Sequence, residues 1–337
     1  RANEVFCINR SDGHMTMVVS VLLLYKRPCS CSNKQRVKTY CEHWSSSISF
    51  KILDMRRRKG MLESVVVREL QTIEEIEEVR QLEREIWASE CVPVHQIVSS
   101  INNGGLVLGA YLRNELIGFN YGNAGFDDGE SYLYSHMLGI KREFRELGVG
   151  ELIKHRQKEI AGEMGYAKSK WTFDPLEVRN GYLNFTKLRT YSKTYLPDYY
   201  GELNDPFNKL LPSDCILVEW NINDGDYLRW DSKIEELQEE AVEIVPWSLS
   251  IVGLPILDKD QAFDSNSSFI KDAYLLPVPV SFQKVRVESP SLAEDWRYKT
   301  RTIFQKLFSQ GYAVVHLTKK DEHVSHYLFV KSSLFAL

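Results

Sequence analysis

The stretch KREFRELGVG, residues 141–150, decides the fold of this chain. It follows residues 131–140 (SYLYSHMLGI), which predict a β-strand, and it leads into a long helix with apolar residues on one face. A loop at the start of a helix offers unpaired backbone N–H groups and the positive end of the helix dipole. We therefore expect an anion to bind here. The loop residues are Arg145, Glu146, Leu147, Gly148, Val149 and Gly150.

The two glycines suit a phosphate-binding loop. Gly148 and Gly150 have no Cβ atom to hold a phosphate away from the backbone, and they tolerate positive φ. Arg145 adds a fixed positive charge. By itself, such a pair of glycines fits an ordinary tight turn equally well. The neighbouring elements must show whether the loop binds phosphate.

The elements before the loop alternate between strand and helix patterns. Residues 64–70 (SVVVREL) predict a strand, and Thr72 with Glu75 has the spacing of a capping box at the start of an amphipathic helix. Residues 106–111 and 115–121 predict an antiparallel hairpin around a short polar turn. An antiparallel hairpin at this place excludes a dinucleotide-binding fold, whose strands are parallel.

Two more elements follow the long helix. Residues 167–174 (AKSKWTFD) predict a strand, and residues 179–193 predict a helix rich in Tyr and Asn. With this order, the loop resembles the Gln/Arg-x-x-Gly-x-Gly/Ala acyl-CoA motif of the GNAT superfamily of N-acyltransferases.

The resemblance extends to a bacterial branch of predicted acetyltransferases. The similar segments are residues 104–110 (GGLVLGA), 135–139 (SHMLG), 171–176 (WTFDPL), 199–201 (YYG) and 211–214 (LPSD). This chain departs from the pattern at Arg189, where a glycine is expected after Lys187 and Leu188. Some members of the branch resemble amino-acid N-succinyltransferases.

The resemblance implies an α+β (mixed α/β) fold with a central, mostly antiparallel, splayed sheet flanked by helices. It implies acetyl-CoA or another acyl-CoA as co-substrate, with the pantetheine between the splayed strands, and a small amine as partner. Backbone N–H groups near Met137, Leu138 and Gly139 would polarise the thioester. Asn184 would bind a pantetheine amide.

The resemblance leaves the acid and base residues open. His136, Glu130 and Asp174 are candidates for the general base. His136 also fits a packed strand position, and Asp174 also fits a residue that organises the turn before Pro175. Tyr191 and Tyr195, on the helix predicted after residue 174, are candidates for the acid that protonates the thiolate.

Residues 226–337 predict a second, smaller α+β domain after the acyltransferase domain of residues 61–225. The patterns give a helix over residues 231–244, a strand over 283–289, a helix over 292–310 and a hairpin of residues 313–317 and 326–331. Arg297 and Arg301 lie one turn apart on the second helix. They fit either a site for an acceptor carboxylate or ordinary packing.

Residues 1–60 differ in composition from the rest. They hold 12 Lys and Arg against 4 Asp and Glu, whereas residues 61–337 hold 30 against 42. We interpret residues 1–60 as a disordered or mistranslated upstream segment, with the native start at Met61 or Met55. The Cys and His residues of this segment lack the spacing of structural zinc ligands, so we expect no metal.

The overall charge and hydropathy argue against two classes of protein, those that bind nucleic acid and those that span a membrane. A net charge of -4 and a pI of about 6.1 argue against nucleic-acid binding. No apolar run is long enough for a membrane span, so we expect a cytoplasmic protein. The sequence thus predicts a metal-independent N-acyltransferase that acts on a small amine. A non-catalytic acyl-CoA sensor stays open as the alternative function, and a homodimer stays open as the assembly of either.

Overall fold

The computed structural model describes residues 60–87, 91–201, 211–223, 227–258, 268–319, 321–335 and 337. The interpretation of residues 1–60 therefore concerns residues outside this set, apart from Gly60. In the first part of the described chain the strands are β1 (Val66–Glu69), β2 (Leu106–Leu112), β3 (Glu115–Asp127), β4 (Glu130–Ile140), β5 (Lys168–Phe173), β6 (Tyr191–Leu196) and β7 (Cys215–Asn221). The helices are α1 (Ile73–Trp87), α2 (Val94–Ile101), α3 (Val149–Glu163) and α4 (Val178–Gly181), and a π-helix, Tyr182–Lys187, continues α4.

Local signals in the sequence explain the first elements. The capping box is confirmed, because the Thr72 hydroxyl accepts from the Glu75 N–H at 3.3 Å and the Glu75 carboxylate accepts from the Thr72 N–H at 3.1 Å. Hydrogen bonds from the N–H groups of Gln71 and Thr72 lower the pKa of Glu75 to about 2. The β2–β3 turn holds Arg113 at φ 50° and Asn114 at φ 67°, the conformation of a tight hairpin turn.

The sheet is splayed between β4 and β5. These strands are parallel and pair only at Leu133 with Ser169 and at Tyr134 with Lys170. Beyond these pairs, six residues of β4 and three of β5 have no partner in the other strand. A gap therefore opens inside the sheet toward the carboxyl ends of both strands, as the sequence resemblance predicted.

Helices cover both faces of this part of the sheet. One face packs against α3, and its core includes Leu108, Ile117, Leu133 and Ile153. The other face packs against α1 and α2 through a core that includes Ile76 and Phe119. The gap between β4 and β5 therefore lies in a sheet whose two faces carry different helices.

The second part of the chain extends the same sheet. It contains α5 (Tyr227–Glu240), β8 (Val242–Glu243), β9 (Trp247–Leu249), β10 (Pro255–Leu257), β11 (Ala273–Pro279), α6 (Phe282–Glu288), α7 (Pro290–Ser309), β12 (Tyr312–Thr318) and β13 (Val324–Lys331). The strand order is β1-β2-β3-β4-β5-β7-β6-β12-β13-β11-β8, while β9 and β10 form a separate pair. Residues 59–337 form one compact unit, and the boundary predicted near residue 225 falls between β7 and α5.

Two predicted elements are wrong. Residues 283–289 were expected as a strand but belong to α6, which buries Phe282 and Val285 at a three-residue step and leaves Val287 83% exposed. The helix expected over residues 179–193 ends at Lys187. Arg189 has φ +53°, a left-handed conformation that stops the helix, and β6 starts at Tyr191.

Two ion pairs join α7 to the sheet. The Arg297 guanidinium donates to both carboxylate oxygens of Asp174, one at 2.8 Å, and its side chain is 2% exposed. Arg301 donates to both oxygens of Asp214 at 2.8 and 2.5 Å. The two arginines that the sequence offered for an acceptor carboxylate thus bind carboxylates of their own chain.

The substitution Arg297→Met is expected to lower the free energy of unfolding by about 3–5 kcal/mol, because it leaves the Asp174 carboxylate without its buried partner. Urea denaturation measures this loss. The control, Arg156→Met, removes an exposed pair with Glu159 and is expected to cost less than about 1 kcal/mol. Equal losses in the two variants would contradict the role assigned to the Arg297 pair.

Candidate active site

The loop before α3 presents free backbone donors. Gly148 precedes the helix at φ +92°, a conformation that favours glycine, and no side chain caps the helix start. The first helical hydrogen bond runs from the Leu152 N–H to the Gly148 carbonyl, at 3.0 Å. The N–H groups of Val149, Gly150 and Glu151 therefore have no acceptor within the helix, and an anion can bind them.

Two arginines lie at this loop. Arg145 is exposed and its Nε donates to the Ile140 carbonyl at 3.1 Å. Arg179, at the start of α4, reaches across to the Glu146 carboxylate. Because both side chains of this pair are more than half exposed, the pair contributes little free energy, and Arg179 can exchange Glu146 for another anion at small cost. The sequence analysis missed Arg179 because it lies almost thirty residues after the loop.

A β-bulge at His136 interrupts β4. Tyr121 of β3 pairs with Met137 and Gly122 pairs with Ser135, which leaves His136 without a partner on β3. Bulges redirect side chains and occur often beside active sites. The imidazole is exposed and lies near two tyrosine rings, with ring centroids 5.9 Å from Tyr121 and 6.2 Å from Tyr134.

Solvent reaches the His136 imidazole, but the residues around it remove part of its hydration. Desolvation by the surrounding residues lowers its pKa below the ordinary 6.5. A side chain that solvent reaches, but that is crowded by protein, is typical of the wall of a groove. At neutral pH the imidazole is therefore uncharged and can accept a proton.

Buried amides hold the bulge from below. The Asn120 side-chain nitrogen donates to the Ser135 hydroxyl at 2.9 Å and to the Met137 carbonyl at 2.7 Å, on either side of the bulge. The side-chain amide of Gln157 on α3 donates to the side-chain amide oxygen of Asn120. This network fixes the backbone at the bulge, and it comes from β3, β4 and α3, so no sequence motif indicates it.

Lys154 of α3 joins the same network. Its Nζ donates to the Ser135 hydroxyl at 3.0 Å and to the Gln157 amide oxygen at 2.6 Å. The ammonium also lies 3.5 Å from the centre of the Trp171 ring on β5. Complete burial lowers the pKa of Lys154 well below its ordinary value.

The far side of the gap is formed by β5 and the π-helix. Asn184 is buried and accepts from the Trp171 indole N–H at 3.3 Å. The Leu188 N–H bonds to the Leu183 carbonyl five residues earlier, at 2.9 Å, which is a π-type turn of the kind often found at functional sites. Asn184 therefore lies against β5 at Trp171, one residue past the last pair between β4 and β5, and its contact with pantetheine stays a prediction.

The structure separates two other base candidates from the bulge. Asp174 is paired with Arg297 and also accepts from the Leu176 N–H at 2.9 Å, so it organises the turn after β5. Glu130 is the first residue of β4, about 20 Å along the strand from His136 at the usual rise per residue. His136 is thus the candidate base that the geometry brings to the gap.

The two acid candidates lie on a strand, which corrects the helix prediction. Tyr191 and Tyr195 belong to β6, and β7 separates β6 from β5, so they lie about 10 Å from β5. The Tyr195 hydroxyl donates to Asp214 at 2.5 Å, and burial raises its pKa. The Tyr191 hydroxyl donates to Glu219 at 3.4 Å. Neither tyrosine therefore lies on a helix beside the gap.

Two kinds of feature are absent from the residues that the structure describes, a metal cluster and a membrane-spanning helix. Within the ranges given above, no group of three or more His, Cys, Asp or Glu side chains is arranged to hold a metal ion. None of the helices in these ranges has the length and apolar composition needed to cross a membrane.

No protein-family model matches the sequence, and a search of curated proteins returned no match. Solved structures do resemble it. An IAA acetyltransferase from Bacillus cereus is 18% identical, with 47% of this chain and 99% of that chain covered and a TM-score of 0.37.

An aminoglycoside 6'-acetyltransferase of type Ii is 16% identical, with 47% of this chain and 98% of that chain covered and a TM-score of 0.39. The ribosomal-protein-S18-alanine N-acetyltransferase of Escherichia coli is 12% identical, with 48% and 96% covered and a TM-score of 0.39. These likenesses are distant, so the function argued below depends on the geometry of this chain's own residues.

Proposed function

We propose that this chain transfers an acyl group from an acyl-CoA to the amine of a small molecule. One observation carries the proposal: the gap between β4 and β5 opens beside the uncapped start of α3. A ligand that fits both features has an anionic end for the helix and a long, amide-containing arm for the gap. Acyl-CoA has both, in its pyrophosphate and its pantetheine.

The anionic end binds at the loop of residues 145–150. The N–H groups at the start of α3 and the Arg145 guanidinium provide the positive field. Arg179 leaves Glu146 and adds a second guanidinium. Gly148 supports this role because its left-handed conformation turns the chain into the helix without a Cβ atom.

The pantetheine amides pair with the open side of β4. Beyond Tyr134, the backbone of this strand lacks partners in β5, and backbone polar groups inside a protein need hydrogen bonds. An extended arm that adds to a strand edge supplies them. In this pose the backbone of Met137, Leu138 and Gly139 contacts the arm, and Asn184 faces it from the other side of the gap.

The reacting carbonyl lies at the bulge. There the Asn120 amide binds the Ser135 hydroxyl and the Met137 carbonyl, which fixes the backbone of β4 and so positions its N–H groups before the substrate arrives. Fixed donors stabilise the negative charge that develops on the carbonyl oxygen when the amine attacks. His136, uncharged at neutral pH, accepts the proton that the amine loses, directly or through one water.

The acceptor binds on the face that carries α1 and α2. Three hydroxyls meet there: Tyr134 lies 3.1 Å from both Thr172 and Tyr200, and Thr172 lies 2.8 Å from Tyr200. With Tyr121 and His136, they form an uncharged wall of rings and hydroxyls. Such a wall suits a small amine and an acetyl donor. An amino acid or a succinyl donor needs a further cation for its carboxylate, because Arg297 and Arg301 are already paired with Asp174 and Asp214.

The first test of the proposal is thiol release from acetyl-CoA and succinyl-CoA by the full chain, against a panel of amino acids, simple amines and lysine peptides. We expect release that depends on a small amine. Tight CoA binding without release from any member of the panel would favour the acyl-CoA sensor, and a failure to bind CoA would refute the proposal.

The substitution His136→Gln is expected to lower kcat about 10²- to 10⁴-fold and to leave CoA affinity unchanged, because it removes the base and not the binding groups. In the wild type, kcat/KM rises with pH as His136 loses its proton. Since desolvation lowers this pKa below 6.5, the rise is complete near neutral pH.

The variant is expected to lose this acidic limb of the pH profile. His95→Gln, which changes an exposed histidine on α2, is the control and retains the wild-type profile. An acidic limb that persists unchanged in His136→Gln would assign the base to another residue.

A further inference from the structure

Lys154 lies under the point where β4 and β5 part. Ser135 directly follows the last residue of β4 that pairs with β5, and Trp171 directly follows the last paired residue of β5. The Lys154 Nζ touches both, at 3.0 Å from the Ser135 hydroxyl and 3.5 Å from the centre of the Trp171 ring. The amine therefore forms the floor of the gap at its closed end.

The surroundings of this amine are uncharged. Its hydrogen bonds go to Ser135 and Gln157, and the nearby rings are those of Trp171 and Trp220, at 3.5 and 5.8 Å. The side chain is 2% exposed. A buried ammonium without an anion is costly, and the two indole rings offset only part of this cost. The position favours an anion that arrives with the substrate.

We propose that Lys154 protonates the sulfur of the departing CoA, an inference that rests on the acyl transfer proposed above. A thioester bound in the gap has its sulfur near the closed end, because the pantetheine enters from the open end beside α3. The sulfur becomes a thiolate when it leaves. Lys154 then supplies the positive charge and the proton that this thiolate needs.

The proton and electron balance is simple. The amine nitrogen of the acceptor attacks the thioester carbonyl carbon, a C–N bond forms, and the nitrogen passes one proton to His136. The C–S bond breaks with its electron pair on sulfur, and sulfur takes one proton from the Lys154 ammonium. After product release, His136 gives its proton to solvent and Lys154 regains one, so the net reaction is thioester plus amine to amide plus thiol.

The structure also places the two tyrosines that were candidates for this acid, Tyr191 and Tyr195, away from the gap. The hydroxyls of Tyr191 and Tyr195 donate to carboxylates on the far side of β5. Burial lowers the pKa of Lys154 well below its ordinary value, so its ammonium is a stronger acid than that of a free lysine and gives up a proton more readily.

The test compares CoA with desulfo-CoA, which lacks the sulfur, and needs no acceptor. Binding to the full chain is followed by tryptophan fluorescence between pH 6 and 9, together with the thiolate absorbance of bound CoA. In the wild type the bound thiol is expected to ionise at least about one pH unit below free CoA. CoA is therefore expected to bind up to about tenfold more tightly than desulfo-CoA over the pH range in which Lys154 keeps its charge.

The variant Lys154→Met is expected to bind both ligands equally and to fold, because a methionine side chain fits among indole rings. Its rate of acyl transfer falls about 100-fold or more. The matched control is Lys158→Met, one turn along α3 and 4.9 Å from the centre of the Trp220 ring, which keeps the preference for CoA.

The outcomes separate the two proposals. Wild-type protein that binds neither ligand would refute the acyl-CoA site itself. Protein that binds both, with the bound thiol ionising as in solution, would refute the role of Lys154 alone. The absorbance of bound CoA is measured on the wild type, so this conclusion stands even when Lys154→Met does not fold. A purely structural lysine would lower the stability of the variant and leave the thiol pKa unchanged.

Discussion

The site depends on the loss of pairing between β4 and β5. After Tyr134 and Lys170 the two strands separate, although each keeps its outer partner, β3 for β4 and β7 for β5. A sheet with an internal gap has unpaired backbone groups where a normal sheet has none, and these groups must find other partners. The gap, the bulge and the anion-binding loop are thus parts of one arrangement, in which a ligand completes the sheet.

The gap stays open because large side chains and helices hold the two strands apart. Trp171 lies over the Lys154 amine on one side and bonds to Asn184 on the other, while Trp220 packs against it edge to face at 6.0 Å. On the opposite face, the hydroxyls of Tyr134 and Thr172 link the strands where they begin to part. These contacts fix the closed end of the gap, which is where the reacting atoms meet.

The sequence predicted the elements that local signals specify. The capping box of Thr72 and Glu75, the hairpin turn at Arg113 and Asn114, and the glycine loop each depend on residues within a few positions of one another. The separation of β4 from β5 was predicted from the family resemblance alone, because no local sequence pattern indicates it. His136 was named as a candidate base, but the bulge that exposes it becomes visible only from the pairing of β3 with β4.

Long-range contacts account for what the sequence did not show. Asn120 and Ser135 are polar residues in largely apolar strands, and Lys154 and Gln157 are two of many polar residues on α3, so none of them indicates a site by itself. Their role becomes visible only when they meet across β3, β4 and α3. The strand assigned to residues 283–289 failed because the pattern alternates over a short span and also fits a helix with two buried residues.

Arg189 shows how the second part of the chain shapes the site. Its left-handed conformation ends the π-helix that carries Asn184, and glycine would adopt it with less strain. The Arg189 side chain donates two hydrogen bonds of 2.6 Å to the Asp231 carboxylate on α5, and these offset the strain of its backbone. A glycine at this position would make neither hydrogen bond. The end of the helix beside the gap is therefore held by a residue of the second part.

The two ion pairs of α7 also stabilise the elements around the gap. By binding Asp174 and Asp214, Arg297 and Arg301 fix the turns at the ends of β5 and β7. The strand β12 also covers the edge of β6, which would otherwise present open hydrogen-bonding groups to solvent. A strand fixed at its end and at its far neighbour cannot close toward β4. The second part of the chain thus contributes rigidity to the gap, while the chemistry lies on β4 and α3.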